Sequence, residues 1–195
     1  MRLPSQIQRS LVAYYQLDGV PNVIPFIRAV DDQRRERVLV RQSEQGTVEL
    51  RVELPSRALQ AERLDRDLLC QVVEGVSHFL VLADRARREL PATQLELELQ
   101  AEVDKWLLLV AHTQPRALPD WVRLRRQLFE HVHFATDGDG EREERYRVAN
   151  RLATQLTHRL ERRYLRSSRW CDVAAVLRLF FRCGQQDKLA LAVAA

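Results

Sequence analysis

Apolar and polar residues alternate in the N-terminal part of the chain, as they do in β-strands. From Thr47 to Leu54 apolar residues alternate with charged ones, which is the period of a strand with one face in solvent. Two shorter apolar runs, Val23–Ile27 and Val38–Arg41, precede it, and Pro25 in the first suits a strand start or a sheet edge. Residues 43–46 are typical of a hairpin loop. The pattern predicts a small antiparallel sheet of two or three strands.

Beyond Ser56 the apolar residues recur every three or four positions, which is the period of an amphipathic helix. Ser56 is a candidate N-cap for a long first helix, and Pro91 ends that helix. Because the connection at Pro91 is short, the next helix is expected to run antiparallel to the first. The five predicted helices comprise residues 57–89, about twenty residues from Leu95, residues 120 to about 131, about 141–166, and a last helix that Ser168 caps.

Together these elements predict an α+β fold, in which a small N-terminal antiparallel sheet packs on a mostly helical body of about five helices. Such a sheet is marginal alone and must pack on helices. Pro115 and Pro119 indicate a division into residues 1–115, with the sheet and two long antiparallel helices, and residues 116–195, a basic helical region. The 195 residues suit one good-sized domain, so a single domain with one shared core is favoured.

Composition narrows the class of protein. Apolar residues make up 46% of the chain and charged residues 30%, which is ordinary for a folded protein. No apolar run approaches the length that crosses a bilayer, and the first twenty residues lack the pattern of a secretory signal. The three cysteines form no Cys-x-x-Cys pair, and Cys70 and Cys171 are expected to pack as small core residues. We therefore expect a cytoplasmic protein without a membrane partner.

The sequence lacks the motifs of several common enzyme classes. None of the six glycines falls in a Gly-x-Gly-x-x-Gly or P-loop spacing, and no Gly-x-Ser-x-Gly, Ser-x-x-Lys or His-Glu-x-x-His motif occurs. Residues 137–141 look like the start of a calcium loop, but an EF-hand needs glutamate where this chain has Val148. No cofactor is predicted, and the missing catalytic signatures favour a binding or regulatory module over an enzyme.

Charge is distributed unevenly along the chain. Residues 1–115 hold 15 basic and 17 acidic side chains, whereas residues 116–195 hold 16 basic and 10 acidic ones. A basic second half indicates an anionic partner such as nucleic acid. Of the 31 basic residues 29 are arginine and two are lysine. Because the arginines occur in every segment, the codon bias of a GC-rich genome explains their number better than function does.

The most concentrated basic surface is predicted on the helix at 141–166. Basic side chains recur there every three or four residues and therefore line one face, which suits a phosphate backbone. Against this, Glu143, Glu144 and Glu161 can offset part of the charge, and the exposed aromatics that single-strand binding needs are scarce. A solvated face in an arginine-rich chain is the simpler interpretation. The predicted anion-binding residues are Arg147, Arg151, His158, Arg162, Arg166 and Arg169, with Thr154, Arg159 and Arg163 beside them.

A second hypothesis is a metal-dependent hydrolytic enzyme with its site on the two long helices. Glu74 and His78 are four residues apart, as are Glu98 and Glu102, so each pair shares a helix face. If the helices pack antiparallel, the two acidic stripes meet, and carboxylates with an imidazole can bind a metal ion or transfer protons. Solvated helix faces with periodic charge are the commoner explanation of such a pattern.

His131 and His133 form another histidine pair. The two imidazoles can bind one metal ion only if residues 130–134 are extended, because on a helix they point in different directions. A helix end is expected here, so no metal site is predicted.

The last strong helix carries apolar residues on more than one face. Core packing explains most of them, and the remainder is compatible with a homodimer through this helix. A structural homodimeric adaptor is therefore the third functional hypothesis. The residues expected to face inward are Trp170, Val173, Ala174, Leu177 and Phe181, followed by a docked apolar end at Leu189, Leu191 and Val193.

Overall fold

The computed structural model describes residues 2–31, 35–42, 48–60, 65–113, 118–130, 140–164 and 169–194. The chain forms two compact units, unit 1 (Met1–Ala92) and unit 2 (Thr93–Ala195). The described residues form a mostly helical α+β structure with one three-stranded sheet. That 1–115 and 116–195 share one core stays a prediction. The predictions made for residues 43–46, for 137–139, and for His131, His133, Arg166 and Ser168 lie outside the described residues.

The described residues of unit 1 form three helices and the sheet. Its elements are α1 (Arg2–Tyr15), a 3₁₀ turn (Ile24–Phe26), β1 (Ile27–Val30), β2 (Arg37–Gln42), β3 (Val48–Pro55), α2 (Ser56–Gln60) and α3 (Arg66–Arg87). The predicted elements do not include α1, although its buried residues Ile7, Leu11 and Tyr15 recur every four positions. This spacing places them on one helix face, and α1 packs against α3.

The three strands lie in the order β1-β3-β2. β2 and β3 form the predicted antiparallel pair, with Arg37 opposite Glu53. β1 pairs with β3 in parallel, with Ile27 opposite Val52, so the prediction of a wholly antiparallel sheet is wrong. The chain reverses direction twice between β1 and β3, and two reversals restore the original direction. Glu53, predicted to face solvent, is buried, and its carboxylate accepts a hydrogen bond from Arg37 at 2.7 Å.

β3 provides the buried face of the sheet, and α3 packs directly on it. Val52 and Leu54 are fully buried. A Cβ atom at Gly75 of α3 would stand 3.1 Å from both Leu54 Cδ2 and Val52 Cγ1, which is closer than ordinary van der Waals contact. Glycine at this position therefore allows the close approach of helix and sheet that holds unit 1 together.

The helix predicted over 57–89 is divided in two, because Asp65 starts a new helix. Asp65 is the N-cap of α3, and its carboxylate accepts the N–H of Leu68 at 2.8 Å. Such a cap satisfies one of the N–H groups that every helix start leaves unbonded. Ser56, predicted to cap the long helix, instead donates its hydroxyl to the carbonyl oxygen of Val30 at 2.9 Å.

Unit 2 is helical throughout its described residues. Its elements are α4 (Gln94–Thr113), α5 (Leu118–Arg125), a π-helical turn (Arg126–Glu130), α6 (Gly140–Arg163), α7 (Trp170–Arg182) and α8 (Gln185–Val193). The four helices predicted here are confirmed, and α8 is an addition. With α1 and α2, the described residues contain eight helices rather than about five.

α4 begins with a capping box, and this feature decides an ambiguous stretch of sequence. Thr93 Oγ1 accepts the N–H of Glu96 at 3.2 Å, while the Glu96 carboxylate accepts the N–H of Thr93 at 2.9 Å. Residues 95–99 alternate like a strand, but the reciprocal bonds stabilise a helix start. The helix prediction is confirmed, with Leu99 and Trp106 in the core.

The core of unit 2 lies around α6, which packs against both α4 and α8. Its predicted inward residues Ala149, Leu152, Leu156 and Leu160 are buried, whereas Tyr164 is only half-buried. Across the described parts of both units, no helix combines the length and the apolar character needed to cross a membrane.

Candidate functional site

The outer surface of α6 carries the central residues of the predicted anion-binding stripe. Arg151, His158 and Arg162 are exposed, and Gln155 between them is exposed too. Because a helix turns 100° per residue, these positions lie within a narrow sector opposite the buried face. At a rise of 1.5 Å per residue, Arg151 and Arg162 stand about 16 Å apart along the helix axis. We refer to Arg151, His158 and Arg162 as the basic face of α6.

Arg147 was predicted to extend this stripe, but two acids of the preceding turn hold it. Its guanidinium forms a short ion pair with Glu143 and approaches Glu144 at 3.9 Å. Acidic residues are stabilised in the first turns of a helix by the helix dipole, so this cluster has a structural reason. Arg147 therefore presents less uncompensated charge than Arg151 or Arg162.

Glu161 is the acid that the sequence places within the basic stretch, yet its charge points into unit 2. The residue is 5% exposed. One carboxylate oxygen accepts the indole N–H of Trp106 at 3.3 Å, and the other binds the guanidinium of Arg125 at 2.5 Å. Both contacts lead away from the outer surface of α6, to Trp106 of α4 and Arg125 of α5.

Arg159, predicted beside the stripe, binds the end of α8 instead. Its guanidinium donates hydrogen bonds to the carbonyl oxygens of Leu191, Ala192 and Ala194. The last carbonyls of a helix lie beyond its regular hydrogen-bond pattern, and a cation is favoured at a helix C-terminus. Desolvation lowers the pKa of Arg159, the neighbouring Tyr164 raises it, and Arg163 lowers it. Arg159 therefore stabilises the packing of α8 on α6 and does not extend the basic face.

At the C-terminal end of α6 two arginines contact one aromatic ring. The guanidinium carbon of Arg163 lies 5.5 Å from the ring centroid of Tyr164, and that of Arg169 lies 5.4 Å from it. The N–H of Arg169 donates to the carbonyl oxygen of Tyr164 at 2.9 Å, which brings the start of α7 next to the end of α6. Arg169 also pairs with Asp172 at 2.7 Å, so it is partly neutralised.

Trp170 is exposed beside this cluster, contrary to the expectation that it faces inward. Forty per cent of the residue is accessible to solvent, against 7% for Trp121 and none for Trp106. The ring centroids of Trp170 and Trp121 lie 6.1 Å apart, so one side of the indole is supported. The amphipathic pattern did not reveal this exposure, because the surroundings of a residue at a helix start depend on other elements, here Trp121 of α5.

The rest of α7 follows the prediction in part. Val173, Leu177 and Phe181 are buried, while Leu179 is 54% exposed. Cys171, expected in the core, is exposed. The homodimer through this helix stays a prediction.

The four residues of the hypothetical metal site belong to different units. In unit 1, Glu74 and His78 lie one turn apart on α3, both are buried, and a carboxylate oxygen lies within 4.8 Å of an imidazole nitrogen. In unit 2, Glu98 is buried on α4, and Glu102 binds Lys105 at 2.9 Å. The interpretation as a solvated face is wrong for Glu74, His78 and Glu98, because all three are buried.

A buried lysine network in unit 2 is absent from the sequence predictions. Lys188 of α8 is fully buried, and its Nζ donates to Gln100 Oε1 at 2.7 Å and lies 4.7 Å from the ring centroid of Phe180. The amide of Gln100 in turn donates to Asp104 at 2.9 Å. The one available signal is that Lys105 and Lys188 are the only lysines among 31 basic residues, and both are buried.

Comparisons of the chain with protein-family models, with curated proteins and with solved structures find no match. The residues of the chain itself are therefore the guide to its function.

Proposed function

We propose that the protein is a cytoplasmic binding or regulatory module that holds nucleic acid through the basic face of α6. The observation that carries the proposal is the exposure of Arg151 and Arg162 on one line of the helix, while Glu161 is bound inside unit 2. Each strand of a duplex places a phosphate about every 3.4 Å of helix axis, so a row of cations about 16 Å long can contact several of them.

Other features agree with this proposal. Guanidinium groups bind phosphate oxygens in pairs of hydrogen bonds, and the imidazole of His158 adds a further donor between them. Arg147 and Arg169 have carboxylate partners and are expected to contribute less. The odd number of cysteines, with no Cys-x-x-Cys pair, offers no disulfide framework and fits a reducing compartment such as the cytoplasm.

Removal of the two outer cations is expected to weaken nucleic-acid binding strongly. In the variant Arg151→Gln/Arg162→Gln, we expect affinity for a fluorescently labelled oligonucleotide to fall by about 10- to 100-fold at low salt. The slope of log affinity against log salt should decrease by about two, one for each lost phosphate contact. Fluorescence anisotropy between about 50 and 200 mM salt measures both quantities.

The matched control is Arg123→Gln/Arg126→Gln, which removes the same charge from exposed positions of unit 2. Arg123 pairs with Asp120 and Arg126 with Glu130, each at 3.4 Å, so this variant should bind nearly as well as the parent chain. Equal losses in both variants would show that overall charge, not the basic face, governs binding. No binding at low salt, or binding that salt does not weaken, overturns the proposed function.

A metal-dependent hydrolytic enzyme is the second candidate, and the buried pair on α3 favours it. A carboxylate oxygen and an imidazole nitrogen within 4.8 Å of each other are close enough to bind one ion. A bound ion would supply an activated water for hydrolysis, while Glu74 and His78 would hold the ion in place.

Thermal unfolding with added Zn²⁺, Mn²⁺ or Mg²⁺ tests this candidate. An ion at about 100 times its Kd should stabilise the chain by about 2.7 kcal/mol, and Glu74→Gln or His78→Asn should abolish the gain. The exposed pair Glu49→Gln and His112→Asn should keep it. Glu98→Gln and Glu102→Gln test the carboxylates that the sequence hypothesis adds. The absence of any shift and of any metal in the purified protein rejects the candidate.

A further inference from the structure

Trp170 combines solvent exposure with rigid support. Its indole is 40% exposed, which is unusual for the residue type with the largest apolar surface. The contact with Trp121, at 6.1 Å between ring centroids, fixes one side of the indole. An aromatic ring held in this way keeps its exposed surface in one orientation and loses little side-chain entropy when a ligand stacks on it.

Neighbours in sequence and two contacts with one ring connect this indole to the C-terminal end of the basic face. Arg162 is followed by Arg163, whose guanidinium contacts the ring of Tyr164, and Arg169 contacts the same ring. Arg169 is hydrogen-bonded to the backbone of Tyr164 and directly precedes Trp170. Cationic and aromatic groups therefore alternate where α6 ends and α7 begins, although they are not interleaved within α6 itself.

We infer that the ligand of the basic face is single-stranded nucleic acid and that a base stacks on Trp170 while the arginines bind the phosphates. This inference rests on the proposed function and names its substrate class. The bases of a duplex are stacked on one another and paired, so their flat surfaces are closed to a side chain. A single strand presents bases that can turn outward onto an aromatic ring, and stacking tolerates any sequence.

An abasic oligonucleotide separates the two parts of the inference. Three labelled probes of about 12 nucleotides are compared: oligo(dT), the same length of abasic deoxyribose phosphate, and a duplex. All three carry phosphates, so the basic face alone predicts comparable affinities for the two single strands and no weaker binding of the duplex, whose charge density is higher. The stacking inference predicts that oligo(dT) binds about 5- to 100-fold more tightly than the abasic probe.

Trp170→Ala is expected to remove this preference. Its affinity for oligo(dT) should fall to that of the abasic probe, while its affinity for the duplex and its salt slope stay unchanged. Trp170→Phe, which keeps an aromatic ring, should retain most of the preference. The variant Arg151→Gln/Arg162→Gln should instead weaken all three probes alike, because it removes phosphate contacts.

Tryptophan fluorescence of the unaltered chain provides a second readout of stacking. Trp170 is the tryptophan that solvent reaches, whereas Trp106 and Trp121 are buried. Oligo(dT) should therefore quench part of the tryptophan fluorescence, the abasic probe should not, and Trp170→Phe should lose the quenching. Equal affinity for oligo(dT) and the abasic probe, without quenching, overturns the stacking inference and leaves the proposed function intact. Failure of every probe to bind at low salt overturns the proposed function.

Discussion

Replacement of Glu161 by alanine is expected to destabilise unit 2 by about 3–5 kcal/mol. The carboxylate binds Arg125 at 2.5 Å and accepts the indole N–H of Trp106 at 3.3 Å, and the side chain is 6% exposed. Its removal leaves a mostly buried guanidinium without this partner and a fully buried N–H without this acceptor. An uncompensated buried charge costs more than the intact pair contributes, which explains the size of the effect.

Urea unfolding followed by tryptophan fluorescence measures this loss in unit 2, because all three tryptophans lie in that unit. Glu144→Ala on the same helix is the matched control, since Glu144 is exposed and Arg147 keeps its ion pair with Glu143. That control should stay within about 0.5 kcal/mol of the parent chain. The double variant Arg125→Met/Glu161→Leu should recover most of the stability. A loss below about 1 kcal/mol for Glu161→Ala would contradict a buried ion pair.

Lys188→Arg, although it conserves charge, is expected to cost about 2–4 kcal/mol. The ammonium group is fully buried between Gln100, the carbonyl oxygen of Phe181 and the ring of Phe180. A planar guanidinium is larger and presents its donors in a fixed fork, so it cannot occupy the same place without displacing the packed rings. Overpacking and lost hydrogen bonds both contribute to the expected loss.

The reverse change at an exposed position provides the control. Arg151→Lys should change the free energy of unfolding by no more than about 0.5 kcal/mol, because the side chain lies in solvent. Lys188→Met should also destabilise, since it leaves the Gln100 carbonyl without its donor. If Lys188→Arg unfolds at the same urea concentration as the parent chain, the site has room for arginine and the preference for lysine there has another cause.

Lys188 also bears on the meaning of the arginine content. The codon bias inferred from the sequence would replace lysine by arginine at solvent-exposed positions, where either side chain suffices. At the two positions that hold lysine, the side chains are buried. A compact ammonium differs in size and shape from a planar guanidinium, so the two are not interchangeable there. The rare residue therefore marks the places where packing constrains the choice of cation.

Much of the fold could be predicted from local pattern. The alternation in β3 and the helical period of α4 and α6 are properties of neighbouring residues, so they can be read along the chain. The division of the first long helix could also have been found, because Asp65 followed by a periodic apolar run is a helix start. The parallel pairing of β1 with β3 could not, since it depends on the side of β3 to which β1 adds.

In the candidate site, local pattern predicts even less than in the fold. On α6 the period of apolar residues identifies Arg151 and Arg162 as exposed. The period does not distinguish them from Arg159, which binds the end of α8, or show that Arg125 binds Glu161. Likewise it does not show whether Trp170 is covered, because a residue at a helix start has neighbours from other elements.

The sequence by itself determined the types and faces of most elements, because hydrophobic periodicity is a local consequence of backbone geometry. Only the tertiary structure decided which charges are available at the surface and which are bound inside. A glutamate or an arginine looks the same in the sequence whether its side chain lies in solvent or in a core. Whether its charge is exposed or bound depends on partners that lie far along the chain. Glu161 with Arg125, 36 residues away, and Lys188 with Gln100, 88 residues away, are the two pairs that make this difference.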